Sequence, residues 1–597
     1  MIYTFLLFFL SCITTIWGAS FCHEITSYTE FEHYSKEYEC ERFTKCILDI
    51  QNNTLYYFDV NEYPMHIDFL SKELLGPLFS YEEYVKNYSE VKPSYLYCYL
   101  IHQRKQDIWT FALWEGDKAG KTDIEKAYRF LTESFYIGTA LKFRPTSTFQ
   151  EEVSKTLDNI PVITNDELFR NSDYQLLNSG ISIGILRIST DTKQQEYSDD
   201  EIIILPELIP DITPVAGIIT EQFSTPLSHL ALRARTWQIP HAGIKEASRL
   251  YKHLEGQSVY FEATASGYTL REATDAEIAD YKDKRKKPST VVLAKANLSE
   301  RRLKPLQLLR RSDHISYGTK AANLGECFRL NNLHIPAGFA IPFYYYNKHI
   351  ADCGADIEHT LANLQTIRDK ILNHPLDKPF LDQVWSLLPS HSVFVRSSTN
   401  AEDLAGFNGA GLYDTVANVT TIESLENAIK NVWASIWSQK AFKERERYGI
   451  DHASVYGAIL VQTSLDAQSA GVLVTKDIFD PTETMEVYTI NASHGLGASV
   501  VEGVMIPEQI IYNFDNKGIK ILSRASGGTI TIFDENGGTK TIPNPNDKKP
   551  VLTDEQITTL GIATNRILRL YRAQYPLDIE WLFKDNQLYI LQVRPFL

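Results

Sequence analysis

Basic side chains are in short supply, with 59 Lys and Arg against 75 Asp and Glu, a formal charge of −16. That deficit argues against a nucleic-acid partner, because phosphate backbones are gripped by clustered Lys and Arg. Cysteine is sparse too, seven in 597 residues, yet after Cys12 four of them (Cys22, Cys40, Cys46, Cys98) fall close together. Four cysteines allow two disulfides in any of three pairings, and buried free thiols are the other reading. No low-complexity tract is long enough to suggest a disordered protein. What is present is ordinary globular composition, 44% hydrophobic and 22% charged. A chain of this length exceeds one core, so roughly three or four domains are expected.

The first twenty residues, MIYTFLLFFLSCITTIWGAS, are an apolar run followed by small residues, and no Lys or Arg precedes Lys36. The run is shorter than the ~20 apolar residues that cross a bilayer comfortably, so it is expected to be a signal peptide spanning 1–20. An exported protein, periplasmic or secreted, follows from that. The alternative is an uncleaved anchor formed by the same residues, the one case in which a membrane would be a partner.

Residues 21–174 mix aromatic-rich runs (YLYCYLIH, WTFALWEGD) with a helical pattern at Asp123 to Phe135, which predicts an α+β domain. Its aromatic clusters are expected to be core packing rather than a sugar-stacking surface. Residues 175–274 alternate strand-like runs (ISIGILRIS, EIIILPE, VAGIIT, SVYFEA) with one helix starting near Ser228 and His229, a compact α/β module. Residues 275–308, which include DYKDKRKKPST from Asp280 to Thr290, are expected to be a charged linker. About 25 free residues would reach on the order of 80 Å when extended. Residues 309–597 form a long α/β region with several Gly-rich turns.

That last region gathers what a nucleoside triphosphate needs: cations, close-approaching backbone and oxygen ligands for Mg2+. Lys320 follows the Gly318 turn at the start of a helix, where the helix end also favours phosphate. Arg396 follows a strand in VRSSTNAEDLAGFNGAGLYDTV, ahead of three glycines ending at Gly411. Gln462 ends an apolar strand before Ser469 to Gly471 turns into another. In LDIEWLFKDNQLYILQVRPFL, Glu580 and Gln592 can lie on facing strands and project from one face, and Arg594 shares the phase of Gln592.

These four segments resemble the ATP-grasp domain of pyruvate phosphate dikinase, phosphoenolpyruvate synthase, rifampin phosphotransferase and the glucan water dikinases. IPAGFAIP, VWASIWSQKAFKERERYGIDH and ASHGLGASVVEGVMIPEQ extend the likeness. The resemblance implies Lys320, Arg396, Gly411, Thr415 and Gln462 around ATP, Mg2+ on Glu580 and Gln592, and Arg594 on the terminal phosphates. Thr319 departs from the pattern, standing where the family commonly has a second glycine.

His229 opens a helix in FSTPLSHLALRARTWQIPHAG, with Arg233 on the same face one turn on and Arg235 on a neighbouring face. This segment resembles the swivelling phosphohistidine domain of the same enzymes. The likeness implies that His229 is a phosphoryl carrier. Leu227 in place of the usual Thr, the additional Arg233, and a histidine module ahead of the ATP module resemble the glucan water dikinases. The family's glycine pair is replaced by FSTP. With no phosphoenolpyruvate barrel after the ATP module, phosphoenolpyruvate synthesis by this chain alone is not expected. HIDFL near His66 and ALWEGD near Asp117 resemble the unassigned N-terminal segment of exported bacterial proteins with a phosphoenolpyruvate/pyruvate-binding domain.

The expectation is therefore a multidomain α/β and α+β protein acting as a dikinase-type phosphotransferase, with ATP and Mg2+ as cofactors. The phosphoryl acceptor, a small molecule or a glucan, is unidentified, and the N-terminal domain is its expected place. An exported ATP-binding protein without turnover is the alternative.

Overall fold

The computed structural model describes residues 20–597 except 39–40, 81–82, 85, 88–92, 105, 115–116, 171–172, 191–195, 207–211, 224–226, 285–290, 356–362, 403, 405–406, 408, 410, 479–485, 498–506, 527, 548, 574 and 597. The expected signal segment and Cys40 lie outside the described residues. Among the described residues no helix is long and apolar enough to cross a membrane. The chain forms two compact units, residues 1–171 and 172–597.

The N-terminal unit is α+β. Its seven-stranded sheet runs Phe21–Cys22, Thr54–Phe58, Glu41–Asp49, Tyr95–Gln103, Ile108–Leu113, Lys142–Phe143, with Lys36–Tyr38 paired to Glu41–Asp49. Every pairing is antiparallel except that of Ile108–Leu113 with Lys142–Phe143. Amphipathic helix Lys121–Ser134 buries Ile124, Ala127 and Leu131 among Leu96, Cys98, Phe111 and Leu113. The aromatic clusters are core packing, as expected: Tyr97 is fully buried, and Trp109 stacks on His102 with ring centroids 4.0 Å apart. Cys22, Cys46 and Cys98 are free thiols. The disulfides allowed by the cysteine clustering are thus absent among the described residues. Cys46 and Cys98 are direct cross-strand partners that share a hydrogen bond as thiols inside the sheet's core.

Among the described residues the second unit holds three large sheets and a two-stranded one, Thr529–Phe533 with Thr539–Pro543. Four parallel strands, Gly180–Ile188, Glu201–Leu205, Gly217–Thr220 and His241–Ile244, form the centre of the first, with antiparallel strands outside them. Parallel strands need a crossover, and helix His229–Trp237 supplies it between Gly217–Thr220 and His241–Ile244. Its start therefore lies beyond the carboxyl end of a parallel strand, the edge at which open α/β sheets bind ligands.

The other two large sheets are antiparallel. One runs Lys304–Pro305, Gly338–Ile341, Gly457–Thr463, Val393–Thr399, Thr415–Val419. The other runs Ile519–Ser523, Glu508–Asn513, Val487–His494, Ser469–Val474, Leu577–Lys584, Gln587–Pro595. Helices Thr319–Cys327 and Asp554–Tyr571 pack their apolar faces into the core of the six-stranded sheet. Ile422–Ser435 and Gln439–Arg447 do the same for the five-stranded one.

The expected free linker is mostly structured. Residues Asp275–Lys284 are an exposed helix. Val291 N–H then donates to Tyr448 O at 3.0 Å, Asn297 N–H to Ile315 O at 2.7 Å, and Leu303 enters the core of the five-stranded sheet. The apolar residues Val291, Leu293 and Leu303 explain the correction, because each has a packing surface waiting on that lobe. The run of about 25 unanchored residues that a reach near 80 Å requires is not there.

Candidate functional site

Arg396 sits within strand Val393–Thr399, directly opposite Thr415 on one neighbour and Leu460 on the other, while Gln462 faces Phe394 two positions along. Side chains two apart on a strand, and those directly opposite, share a face. Arg396, Thr415 and Gln462 therefore project from one side of the five-stranded sheet. In the six-stranded sheet, Glu580 is opposite Gln592 and Asp578 opposite Arg594, so those four share a face as their alternation predicts. Arg396 joins the two sheets: its Nη2 reaches Glu580 Oε2 at 2.7 Å and Gln592 Oε1 at 3.2 Å, and its Nη1 reaches Leu591 O at 3.0 Å.

Lys320 comes to the same place from the second residue of helix Thr319–Cys327. Its Nζ lies 3.0 Å from Glu402 Oε1 and 3.3 Å from Ser397 Oγ. Glu402 has no exposed surface and is also bonded by Ser397 Oγ at 3.0 Å and Thr399 N–H at 2.8 Å. The helix end itself is used differently from the expectation. Ser398 Oγ accepts from Ala321 N–H at 3.0 Å and donates to Tyr317 O at 2.8 Å, capping one of the N–H groups expected to face phosphate. Gly318 permits this contact: its φ is +75°, and a Cβ there would collide with the Ser398 carbonyl. Thr319, the departure from the family pattern, donates its hydroxyl to Glu402 O at 3.0 Å.

Charge governs the cluster. Burial pushes the Glu580 carboxyl up, but Arg396, Arg594 and Lys320 outweigh it and hold the group below the usual range. Burial wins at Asp578, whose carboxyl is raised despite a two-point pairing with Arg594 at 2.8 and 2.7 Å. Lys320, Arg396, Glu580, Gln592 and Arg594 are thus one electrostatic cluster. Gln462 is buried with its amide 3.5 Å from Pro336 O, and Thr415 is exposed beside Arg396; neither bonds to the cluster.

Glu580 and Gln592 offer two hard oxygens converging on one point, the Arg396 Nη2 nitrogen. No group of three or more His, Cys, Asp or Glu able to hold a metal occurs among the described residues. One carboxylate and one amide oxygen suit Mg2+, which keeps several waters and completes its shell with substrate phosphates. The residues present fit Mg2+ arriving with a triphosphate.

His229 meets this lobe at the glycine-rich loop. Gly411 has φ +69°, and a Cβ there would lie 2.9 Å from His229 Nδ1. Gly409 packs on Glu402, with a hypothetical Cβ 3.1 Å from its Cα. Within three residues the loop therefore touches the Lys320 partner and the imidazole. Ser228 caps the histidine helix by accepting from Ala231 N–H at 3.3 Å. Arg233 is buried with its guanidinium 5.7 Å from the Trp237 ring, and Arg235 lies 5.6 Å from the Phe596 ring.

Sequence reasoning missed Glu402, Asp578, Lys440 and Glu444. Asp578 had a signal, two residues before Glu580 in the same alternation. Glu402 lies in the segment that carries Arg396 but was given no role of its own. Lys440 and Glu444 carry no local mark, since their partners are Gly411 and Trp237.

Two antiparallel sheets with a buried cation cluster between them define a nucleotide-binding α/β domain. Residues 315–597 match the family model described as pyruvate phosphate dikinase, AMP/ATP-binding domain. The rifampicin phosphotransferase of Bacillus subtilis is 30% identical over 306 residues, covering 47% of this chain and 34% of that protein. A rifampicin phosphotransferase from Streptomyces is 28% identical over 298 residues, with the same coverage. A probable phosphoenolpyruvate synthase from Methanothermobacter thermautotrophicus is 31% identical over 305 residues, 47% of this chain and 43% of that protein. The chain thus matches less than half the length of these relatives. A D-alanine-D-alanine ligase from Helicobacter pylori has a TM-score of only 0.21 at 9% identity, over 69% of this chain and 93% of its own; a likeness that slight carries no argument.

Proposed function

We propose that this chain is an ATP-dependent phosphotransferase of the dikinase type, with an ATP-grasp lobe that binds Mg-ATP and His229 as the phosphoryl carrier. The observation that carries the reading is the glycine-rich loop, which rests on Glu402 at Gly409 and on the His229 imidazole at Gly411. Lys320, Arg396 and Arg594 hold the phosphates, and bound Mg2+ on Glu580 and Gln592 would supply further charge neutralisation. Positioning and electrostatic clamping dominate phosphoryl transfer. An imidazole nitrogen forms a bond to phosphorus as the bridging P–O bond breaks, and the bridging oxygen keeps the electron pair. Over a cycle, ATP, water and an acceptor hydroxyl give AMP, phosphate and a phosphorylated acceptor.

The acceptor is a small molecule or a glucan, and the relatives named for rifampicin favour the former. Export rests on the apolar run of residues 1–20 alone. The test is incubation with Mg2+ and ATP labelled at the β or γ phosphorus. Acid-labile, alkali-stable phosphate on the protein and release of AMP are expected. Tight ATP binding with no label and no AMP, across varied acceptors, would instead make the chain an ATP-binding protein without turnover.

The loop contact gives a second prediction. Gly411→Ala places a methyl group against the imidazole and forces a left-handed backbone at about 1–2 kcal/mol. Displacement of a reacting group by about 1 Å costs on the order of 100-fold, so labelling should slow by about that factor while the melting temperature changes by only a few degrees. A labelling rate equal to wild type would place the transfer geometry elsewhere.

A further inference from the structure

One helix, Gln439–Arg447, grips both partners of the His229 junction. In its first turn, Lys440 Nζ donates to Gly411 O at 2.8 Å. One turn later, Glu444 accepts from Trp237 Nε1 with both oxygens, at 2.9 and 3.0 Å, and only 1% of Glu444 is exposed. Residues four apart share a helix face. The same face therefore holds the loop against which His229 lies and the last residue of the helix that His229 begins.

Further ties lie nearby. Arg447 Nη2 donates to Trp237 O at 3.3 Å, Tyr448 OH to Thr236 O at 3.5 Å, and Lys443 Nζ to Tyr197 O at 3.0 Å. The helix is itself fixed by fully buried Arg445, which donates to Ile436 O at 2.7 Å and His452 Nδ1 at 3.0 Å. Among the described residues the apolar cluster shared by the two lobes is small, Leu227 and Leu232 against Val474, Ile478 and Phe596. A junction held by polar groups with little apolar burial can part at modest cost, because its groups regain water.

We infer that Lys440 and Glu444 are positioning residues for phosphoryl transfer: together they form the seat that presents the His229 imidazole to the nucleotide lobe. Lys440 acts through the Gly411 carbonyl and Glu444 through the Trp237 indole. The transfer step rests on the function proposed above, whereas the seat can be observed without it.

The test uses the full chain and four proteins: wild type, Trp237→Phe, Lys440→Met and Lys440→Arg. Three quantities are measured: ATP affinity by calorimetry, the single-turnover rate of phosphohistidine labelling, and amide hydrogen exchange across residues 229–237. Trp237→Phe removes the indole N–H together with the five-membered ring that carries it, and should slow labelling about 10- to 100-fold, as expected for a displaced reacting group. It should leave ATP affinity within about twofold and speed exchange in the histidine helix. Lys440→Met should slow labelling similarly, and Lys440→Arg should restore it to within about threefold, which a generic packing role would not do. Wild-type labelling rates in both Trp237→Phe and Lys440→Met would overturn the inference. If wild type takes no label at all, the phosphotransferase reading falls and exchange decides the seat. Faster exchange in Trp237→Phe then supports it, and unchanged exchange overturns it. Should Trp237→Phe not fold, the Lys440 pair carries the test alone.

Discussion

His229→Ala should bind ATP within about twofold of wild type and take up less than about a thousandth of the acid-labile phosphate. The two halves of that expectation come from different parts of the molecule. In the function proposed here affinity is carried by Lys320, Arg396 and Arg594, which are held by Glu402, Glu580 and Asp578, so removing the imidazole should leave that cation cluster in place. Labelling requires a neutral nitrogen nucleophile at the glycine-rich loop, and His229 is the histidine whose Nδ1 lies against Gly411. His241, in the neighbouring strand, is fully buried and held neutral by desolvation, with its pKa down at about 3, and it has no route to a nucleotide. His229 is half-buried at the helix start, so its loss should not threaten folding. Loss of a covalent nucleophile typically costs several orders of magnitude, far beyond a positioning defect. Full labelling of the variant would remove the carrier assignment. Acid-stable, alkali-labile phosphate would point to a hydroxyl instead. Lys320→Met provides the contrast, since it should weaken ATP binding itself.

Much of the nucleotide lobe was legible because strands advertise their faces. Alternation alone put Glu580, Gln592 and Arg594 on one side of a hairpin, and the register confirms the direct pairing of Glu580 with Gln592. It could not show that Arg396, 184 residues away, bonds to Glu580. The periodicity of a segment fixes which way a side chain points and says nothing about what meets it. The same limit hid Glu402, whose partner Lys320 lies on another element, and the Ser398 cap on the lysine helix, which takes an N–H that local reasoning assigned to phosphate. The linker failed for a related reason. Its charged first half masked the later apolar residues Val291, Leu293 and Leu303, whose packing surface belongs to a core assembled more than 30 residues downstream.

Asp117, in the ALWEGD segment that drew notice only by resemblance, should make the N-terminal unit strongly pH-sensitive. It has no exposed surface, its Oδ1 accepts from Ala119 N–H at 2.7 Å, and its Oδ2 has no hydrogen-bond partner among the described residues. Burial raises its pKa to about 7; the Ala119 bond and Lys118 pull it down, and Asp123 pushes it further up. An unfolded Asp titrates near 3.9. Between those values the folded unit holds a proton that the unfolded chain has released, so stability falls as pH rises. The contribution is fully present below about pH 4 and is lost as pH passes through about 7. A difference of about 3 pKa units corresponds to ~4 kcal/mol. Other carboxylates give their own acid dependence, so the clean measurement is the difference between wild type and Asp117→Asn, which keeps an acceptor for Ala119. Urea unfolding followed by hydrogen exchange in peptides from residues 95–134 should show the two proteins equal within about 1 kcal/mol at pH 4. At pH 8 the Asn variant should be the more stable by ~4 kcal/mol. A constant difference across that range would mean that Asp117 is ionised in the fold, and its Oδ2 would then need a compensating donor.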